Sequence, residues 1–237
     1  MASIVMVLSG ATVWTMKNAK PHPTGFWSEE FVTPHCKFVA AGHAVTVASP
    51  RGANPSVDHL SFNLTYNNND SSKVASEQGY MKELGPKLTS PVQLEGVNPD
   101  EYDAIFLVGG HGPMQDMAVH PTLGRVLVAM LGNPRKIVAA VCHGPAGFLT
   151  ASRADGTWAF TDRRLTGFSN QEETQAGFAG NAPWLLEDRL RLSGARYIAK
   201  EPWTPHVVVD GSLVTGQQNY SAGMTADAVL ELLASTR

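Results

Sequence analysis

Cysteine is scarce in this sequence: Cys36 and Cys142 stand alone among 237 residues, in segments of different character. That excludes a disulfide framework and points to a reducing, cytoplasmic setting. Charge is sparse too, at 16% of residues with a net −3, and no block of lysine and arginine occurs. Neither nucleic acid nor an anionic membrane surface is therefore an expected partner, which leaves a small molecule or a protein ligand. No apolar stretch reaches the roughly 18 to 20 residues of a membrane helix. The apolar run at residues 3–13 lacks a positive start and a small-residue cleavage site, so it reads as a strand and not as an export leader. Internal repeats and low-complexity tracts are missing as well. What remains is 43% hydrophobic residues, enough to fill the core of one large domain over residues 1–237.

Ser3-Ile4-Val5-Met6-Val7-Leu8-Ser9 is a continuous apolar run of the kind that forms a parallel strand covered on both faces. Thr24 opens a helical pattern in which Phe26, Phe31, Val32, Phe38 and Val39 recur, ending at Gly42, and a strand follows at residues 44–48. Residues 50–99 turn polar and rich in Asn, Ser and Pro, with a loop at Asn67-Asn68-Asn69-Asp70 and one short helical stretch at 76–84. An insertion of that length is expected to cover a site. Strands at 102–108 and 137–141 bracket an amphipathic helix at 121–131. Short strands at 165–168, 197–199 and 207–209, a helix at 183–193, a hairpin turn at Asp210-Gly211 leading to 213–215, and a closing helix at 224–234 complete the chain. Strands alternating with helices predict an α/β sandwich with a largely parallel sheet, whose ligands gather beyond the carboxyl ends of the strands.

One strand ends in chemistry. Ile137-Val138-Ala139-Ala140-Val141 stops at Cys142, and His143-Gly144-Pro145-Ala146-Gly147 follows at once as a turn entering a helix. A thiol displayed there meets amide donors and a helix N-terminus, which favour thiolate, although a cysteine after an apolar strand is otherwise a small buried hydrophobe. The adjacent His143 carries protons only if the turn folds its imidazole back toward the sulfur and a carboxylate orients it. Gly109-Gly110 follows the 102–108 strand, and the amides of Gly110 and His143 are placed to receive an oxyanion. His111, next in line, either lines the pocket or makes a structural hydrogen bond. Glu29 and Glu30 lie in the first turns of their helix among aromatics, where desolvation raises a carboxyl pKa toward neutrality; spacing alone does not say which one points inward. The remaining histidines, His22, His35, His43, His59, His120 and His206, show no metal-ligand spacing on a common element, so no metal is expected. Cys36 reads as a buried helix residue, and Trp27, Trp158, Trp184 and Trp203 as core or loop anchors rather than a binding platform.

Three segments taken together carry a resemblance: Thr24-Gly25-x-x-x-x-Glu30-x-x-x-Pro34, Gly109-Gly110-His111-Gly112 and Ala139-Ala140-Val141-Cys142-His143-Gly144-Pro145-Ala146. The chain resembles the ThiJ/PfpI superfamily, in the branch of glutathione-independent glyoxalases (glyoxalase III) and their stress-induced chaperone relatives. The resemblance implies a flavodoxin-like, class I glutamine amidotransferase-like three-layer sandwich. It implies Cys142 as nucleophile, His143 as the triad histidine and Glu30 as the carboxyl on the thiol. The third triad member follows a Thr-Gly-Phe segment, which in Thr166-Gly167-Phe168-Ser169-Asn170-Gln171-Glu172-Glu173 makes it Glu173, with Glu172 as a rival that spacing does not exclude. The implied function is a cofactor-free conversion of a small 2-oxoaldehyde, methylglyoxal to lactate, by a homodimer. Two alternatives stand beside it: a stress-response holdase chaperone, and a hydratase, amidase or biosynthetic lyase using the same site. The chain departs from the branch at Gln218-Asn219-Tyr220, where Tyr220 replaces a common proline close to the pocket.

Overall fold

A computed structural model describes residues 1–235, so the last two residues of the expected 1–237 domain lie outside the described ones. The first half of the chain holds β1 (Ser3–Val7), a hairpin of β2 (Val13–Thr15) and β3 (Pro21–Pro23), α1 (Ser28–Ala40), β4 (Ala44–Ser49), α2 (Ser71–Leu84), α3 (Pro86–Thr89), β5 (Val92–Gln93) and β6 (Ala104–Leu107). The second half holds α4 (Gly112–Gln115), α5 (Pro121–Leu131), β7 (Ile137–Val141), β8 (Arg164–Leu165), α6 (Asn170–Gln175), α7 (Leu186–Leu192), β9 (Arg196–Tyr197), β10 (Val207–Asp210), β11 (Leu213–Gly216) and α8 (Ala222–Ser235).

Seven strands form one sheet in the order β10-β11-β7-β6-β1-β4-β5. It is parallel except for β10, which runs antiparallel to β11 across the Asp210-Gly211 turn that the sequence predicts. Every residue of β6 and β7 is buried, and successive side chains of a strand point to opposite faces, so both faces of the sheet are covered. Complete burial of Ile137, Val138 and Val141 contributes on the order of 1.5–3 kcal/mol each. α8 packs on β7, β11 and α1, while α5 packs on β7 and on the turn that follows Cys142. This is the flavodoxin-like layering the resemblance implied. β1, β6, β7 and β11 all point their carboxyl ends at one edge, and the site lies there.

Several boundaries move for physical reasons. α1 starts at Ser28 and not at Thr24, because Phe26 is held extended: its amide donates to Ser56 O (2.9 Å) and its carbonyl accepts from Asp58 N (2.8 Å). α2 is longer than the 76–84 stretch, since Asp70 caps it by accepting from the Lys73 amide at 2.9 Å. The β2–β3 hairpin reads as loop in sequence because Pro21 and Pro23 cannot donate to a ladder. The strands expected at 165–168 and 197–199 shrink to β8 and β9, a two-stranded ladder apart from the main sheet.

Candidate active site

Cys142 directly follows β7 and has φ at +58°, the left-handed region that non-glycine residues avoid. Such a conformation costs about 1–3 kcal/mol. Backbone bonds on both sides hold it: the Cys142 amide donates to Gly216 O at 3.0 Å, and its carbonyl accepts from the Phe168 amide at 2.9 Å. The chain then enters a 3₁₀ turn over Gly144–Thr150. This sharp reversal brings Nδ1 of His143 to 3.3 Å from the Cys142 Sγ, the condition under which sequence neighbours can share a proton.

The far side of the imidazole fixes its tautomer. Nε2 of His143 lies 2.7 Å from Oε2 of Glu173, and Oε1 of the same carboxyl lies 2.7 Å from Nε2 of His111. Burial by itself would raise the Glu173 pKa, but the two imidazoles override it and hold the carboxyl well below its usual range. A carboxylate only accepts, so both Nε2 atoms carry hydrogen, and Nδ1 of His143 is left as a lone pair toward sulfur. Burial, and then the neighbouring His111 with its ring centroid 4.3 Å away, lower the His143 pKa and keep the ring neutral at neutral pH.

Glu30 faces the sulfur from α1. It is fully buried, and neither of its oxygens makes a hydrogen bond of ordinary geometry. Burial raises its pKa to about 8, with the Cys142 thiol and the Gly109 amide offsetting only part. A Cβ on Gly109 would collide with Oε2 of Glu30 and with the Cys142 Cβ, so glycine there is what lets carboxyl and thiol meet. Glu29 turns the other way, pairing with Lys73 at 2.7 Å and accepting from Asn219 Nδ2 at 3.0 Å.

The resting sulfur differs from the sequence expectation. Burial first, and the Glu30 carboxyl second, push the Cys142 pKa well above the ordinary thiol value; the amides of Gly110 and His143 face the sulfur and offset part of this. A short 3₁₀ turn offers only a weak dipole, so desolvation wins and the site rests as thiol, not thiolate. Glu172 lies away from His143: it caps α6 through Ser169 and accepts from the amide of Trp203. His111 lines the cleft, yet its Nε2 is engaged with Glu173 and its ring stacks on Trp14 at 4.5 Å.

Cys142, His143, Glu30 and His111 floor a narrow cleft whose walls include Trp27, Tyr66, Phe168, Phe178 and Trp203, with no lysine or arginine in its lining. Trp27 and Trp203 thus line the site and do not serve merely as anchors, which corrects the sequence reading; no local pattern marks them. Trp158 does anchor, donating to Phe148 O at 2.6 Å. Cys36 is half-buried rather than buried. Leu60 and Tyr66 come from the polar insertion, and Asn219 from the loop that carries Tyr220. Among the described residues, His111, His143 and Glu173 form the one cluster with ligand atoms within 4.8 Å of one another. A cation there would displace the hydrogens of both Nε2 atoms, on which the observed hydrogen bonds depend.

The DJ-1/PfpI family profile matches residues 22–232. The human glutamine amidotransferase-like class 1 domain-containing protein 1 is 36% identical over 144 residues, or 61% of this chain; the match spans only 64% of that relative's length. The glutathione-independent glyoxalase HSP31 of Saccharomyces cerevisiae is 30% identical over 218 residues, 89% of this chain and 90% of the relative. Among solved structures, glyoxalase III of Candida albicans superposes with a TM-score of 0.82 at 24% identity, covering 98% of this chain and 97% of that one, a likeness of fold.

Proposed function

This chain belongs to the DJ-1/PfpI family, and from that premise we propose that it is a glutathione-independent glyoxalase converting methylglyoxal to lactate. The observation that carries the reading is a thiol set between the Nδ1 lone pair of His143 and a buried carboxyl with a pKa of about 8, in a cleft without cations. A neutral dicarbonyl suits such a cleft, and a relative that aligns over nine-tenths of its own length bears the glyoxalase name.

In this reading His143 takes the thiol proton at Nδ1, and Glu173 stabilises the imidazolium through Nε2. The sulfur adds to the aldehyde carbon, and the amides of Gly110 and His143 hold the oxyanion until it is protonated as a hemithioacetal. His143, neutral again once it has protonated the oxyanion, or the ionised fraction of Glu30 removes the proton from the sulfur-bearing carbon to give an enediol and returns one to the neighbouring carbon. A thioester of lactate results, and water hydrolyses it to free lactate and thiol. No electron is gained or lost overall, so no redox cofactor is required.

The proposal takes the chain as one domain with residues 50–99 as its cover, and as a homodimer in the cytoplasm, where two unpaired cysteines persist. No described helix is long and apolar enough to cross a membrane. The test is lactate formation from methylglyoxal without glutathione, followed by NMR, in wild-type and C142S proteins of equal thermal stability. C142S is expected to lose about 10⁴-fold or more in kcat. Equal turnover by the two would end this reading.

A further inference from the structure

The floor of the cleft is buried, with Cys142 5% and His143 1% exposed, while Trp27, Tyr66 and Trp203 in its walls are half-buried rings and Phe168 is a buried one. Tyr66, from the insertion, and Trp203, from the segment between β9 and β10, meet with ring centroids 6.3 Å apart. Trp27 abuts Tyr66 at 5.5 Å, and Phe168 abuts Trp203 at 5.7 Å. These four contacting rings wall the cleft that holds the sulfur.

Hydrogen bonds, and not packing alone, place the two central rings. Trp203 has φ at +63°. Its amide donates to Oε1 of Glu172 at 3.0 Å and its indole Nε1 to Oε1 of Gln175 at 2.6 Å, so α6, the helix that carries Glu173, holds it at both ends. Glu172 is itself fully engaged: Oε1 also accepts from Gln217 Nε2 at 3.1 Å, and Oε2 accepts from the amide and hydroxyl of Ser169 at 3.0 and 2.7 Å. On the other side, the Tyr220 hydroxyl donates to the Tyr66 carbonyl at 3.2 Å. The Asn67 side chain ties the same turn to Ser61 O and Asn63 O at 2.8 and 2.9 Å.

We propose that Tyr66 and Trp203 form a size gate over Cys142, admitting 2-oxoaldehydes that bear hydrogen or a short alkyl group and turning away aryl ones, with Glu172 and Tyr220 as positioning residues for the two rings. The substrate class rests on the glyoxalase reading above; the gate itself does not. A substituent too wide for the cleft must displace one of these rings, breaking the indole bond to Gln175 in the case of Trp203, or stop short of the sulfur. The glutamate that the sequence leaves as a rival for the triad thus has a separate duty, one residue away from the member that faces His143.

The test reads the thiol directly. The full chain is alkylated in parallel with iodoacetamide and N-phenylmaleimide, and Cys142 and Cys36 are quantified separately by peptide mass spectrometry. Both reagents need the same thiolate, so their rate ratio at Cys142 cancels its ionisation, while Cys36, half-buried and outside the cleft lining, supplies the intrinsic ratio. Relative to wild type, the normalised maleimide-to-acetamide ratio is expected to rise about tenfold in W203A and in Y66A, and about threefold in E172Q and Y220F. A ratio unchanged in W203A and Y66A overturns the gate; using both keeps the test decisive if one of them fails to fold. Phenylglyoxal and methylglyoxal turnover in the same proteins separates the two readings. Opened access without any 2-oxoaldehyde turnover keeps the gate and removes the glyoxalase reading, and turnover with an unchanged ratio does the reverse.

Discussion

Replacing Glu30 by glutamine is expected to tilt the pH dependence of stability. The carboxyl holds its proton to about pH 8 in the folded protein, against 4.5 ordinarily. Between those values the native state binds one proton more than the unfolded chain, so the stability this group contributes is complete below 4.5 and is lost as pH rises toward 8. The interval spans roughly 3.5 pH units at about 1.4 kcal/mol each, which makes the loss about 5 kcal/mol in wild type and zero in E30Q. Glutamine adds a fixed cost of about 1–3 kcal/mol for a buried amide without an acceptor, but that cost does not vary with pH. Subtracting the two proteins removes the opposite contributions of Glu173 and His143, whose lowered pKa values favour the folded state at higher pH. Urea unfolding at a series of pH values from 5 to 8 measures the difference. E30Q should gain on wild type with every step upward, by about 1.4 kcal/mol per pH unit across most of the window. A total tilt below about 1 kcal/mol would refute a buried, protonated Glu30.

H111Q keeps a donor for Oε1 of Glu173 and removes the second imidazole that depresses His143, so the acidic limb of kcat/KM should move to higher pH. Glu173 and Asp58, the other charges acting on His143, stay in place, and an unmoved limb would show that the two rings are not coupled through Glu173. G109A puts a methyl group against Glu30 and Cys142, at a cost of about 1–3 kcal/mol of stability and about 100-fold in kcat/KM. Thermal melting and lactate formation measure it, and no change in either would mean that the carboxyl–thiol contact is slack.

Elements with strong local signals were legible without coordinates. The helix at 121–131 and the strand at 137–141 match α5 and β7 residue for residue, the first because Pro121 and an apolar stripe define it, the second because an unbroken apolar run suits a strand covered on both faces. The late start of α1 and the place of Trp203 were decided by distant segments: Ser56 and Asp58 hold Phe26 out of α1, and Gln175 and Glu172 fix Trp203 on the cleft wall. The β2–β3 hairpin escaped because a two-proline strand has the composition of a loop.

The chain's own order of residues determined a parallel α/β sheet and a cysteine displayed on a turn with histidine beside it, because periodicity and turn chemistry act over a few neighbouring residues. Which glutamate of each pair turns inward, whether the sulfur rests as thiol, and which tautomer His143 adopts were decided only by tertiary structure. Each depends on groups far apart in the chain, such as His111 and Glu173 at a separation of 62 residues, and on the removal of water around them. Desolvation and charge pairing move pKa values only where packing has already excluded solvent, and no local pattern encodes that exclusion.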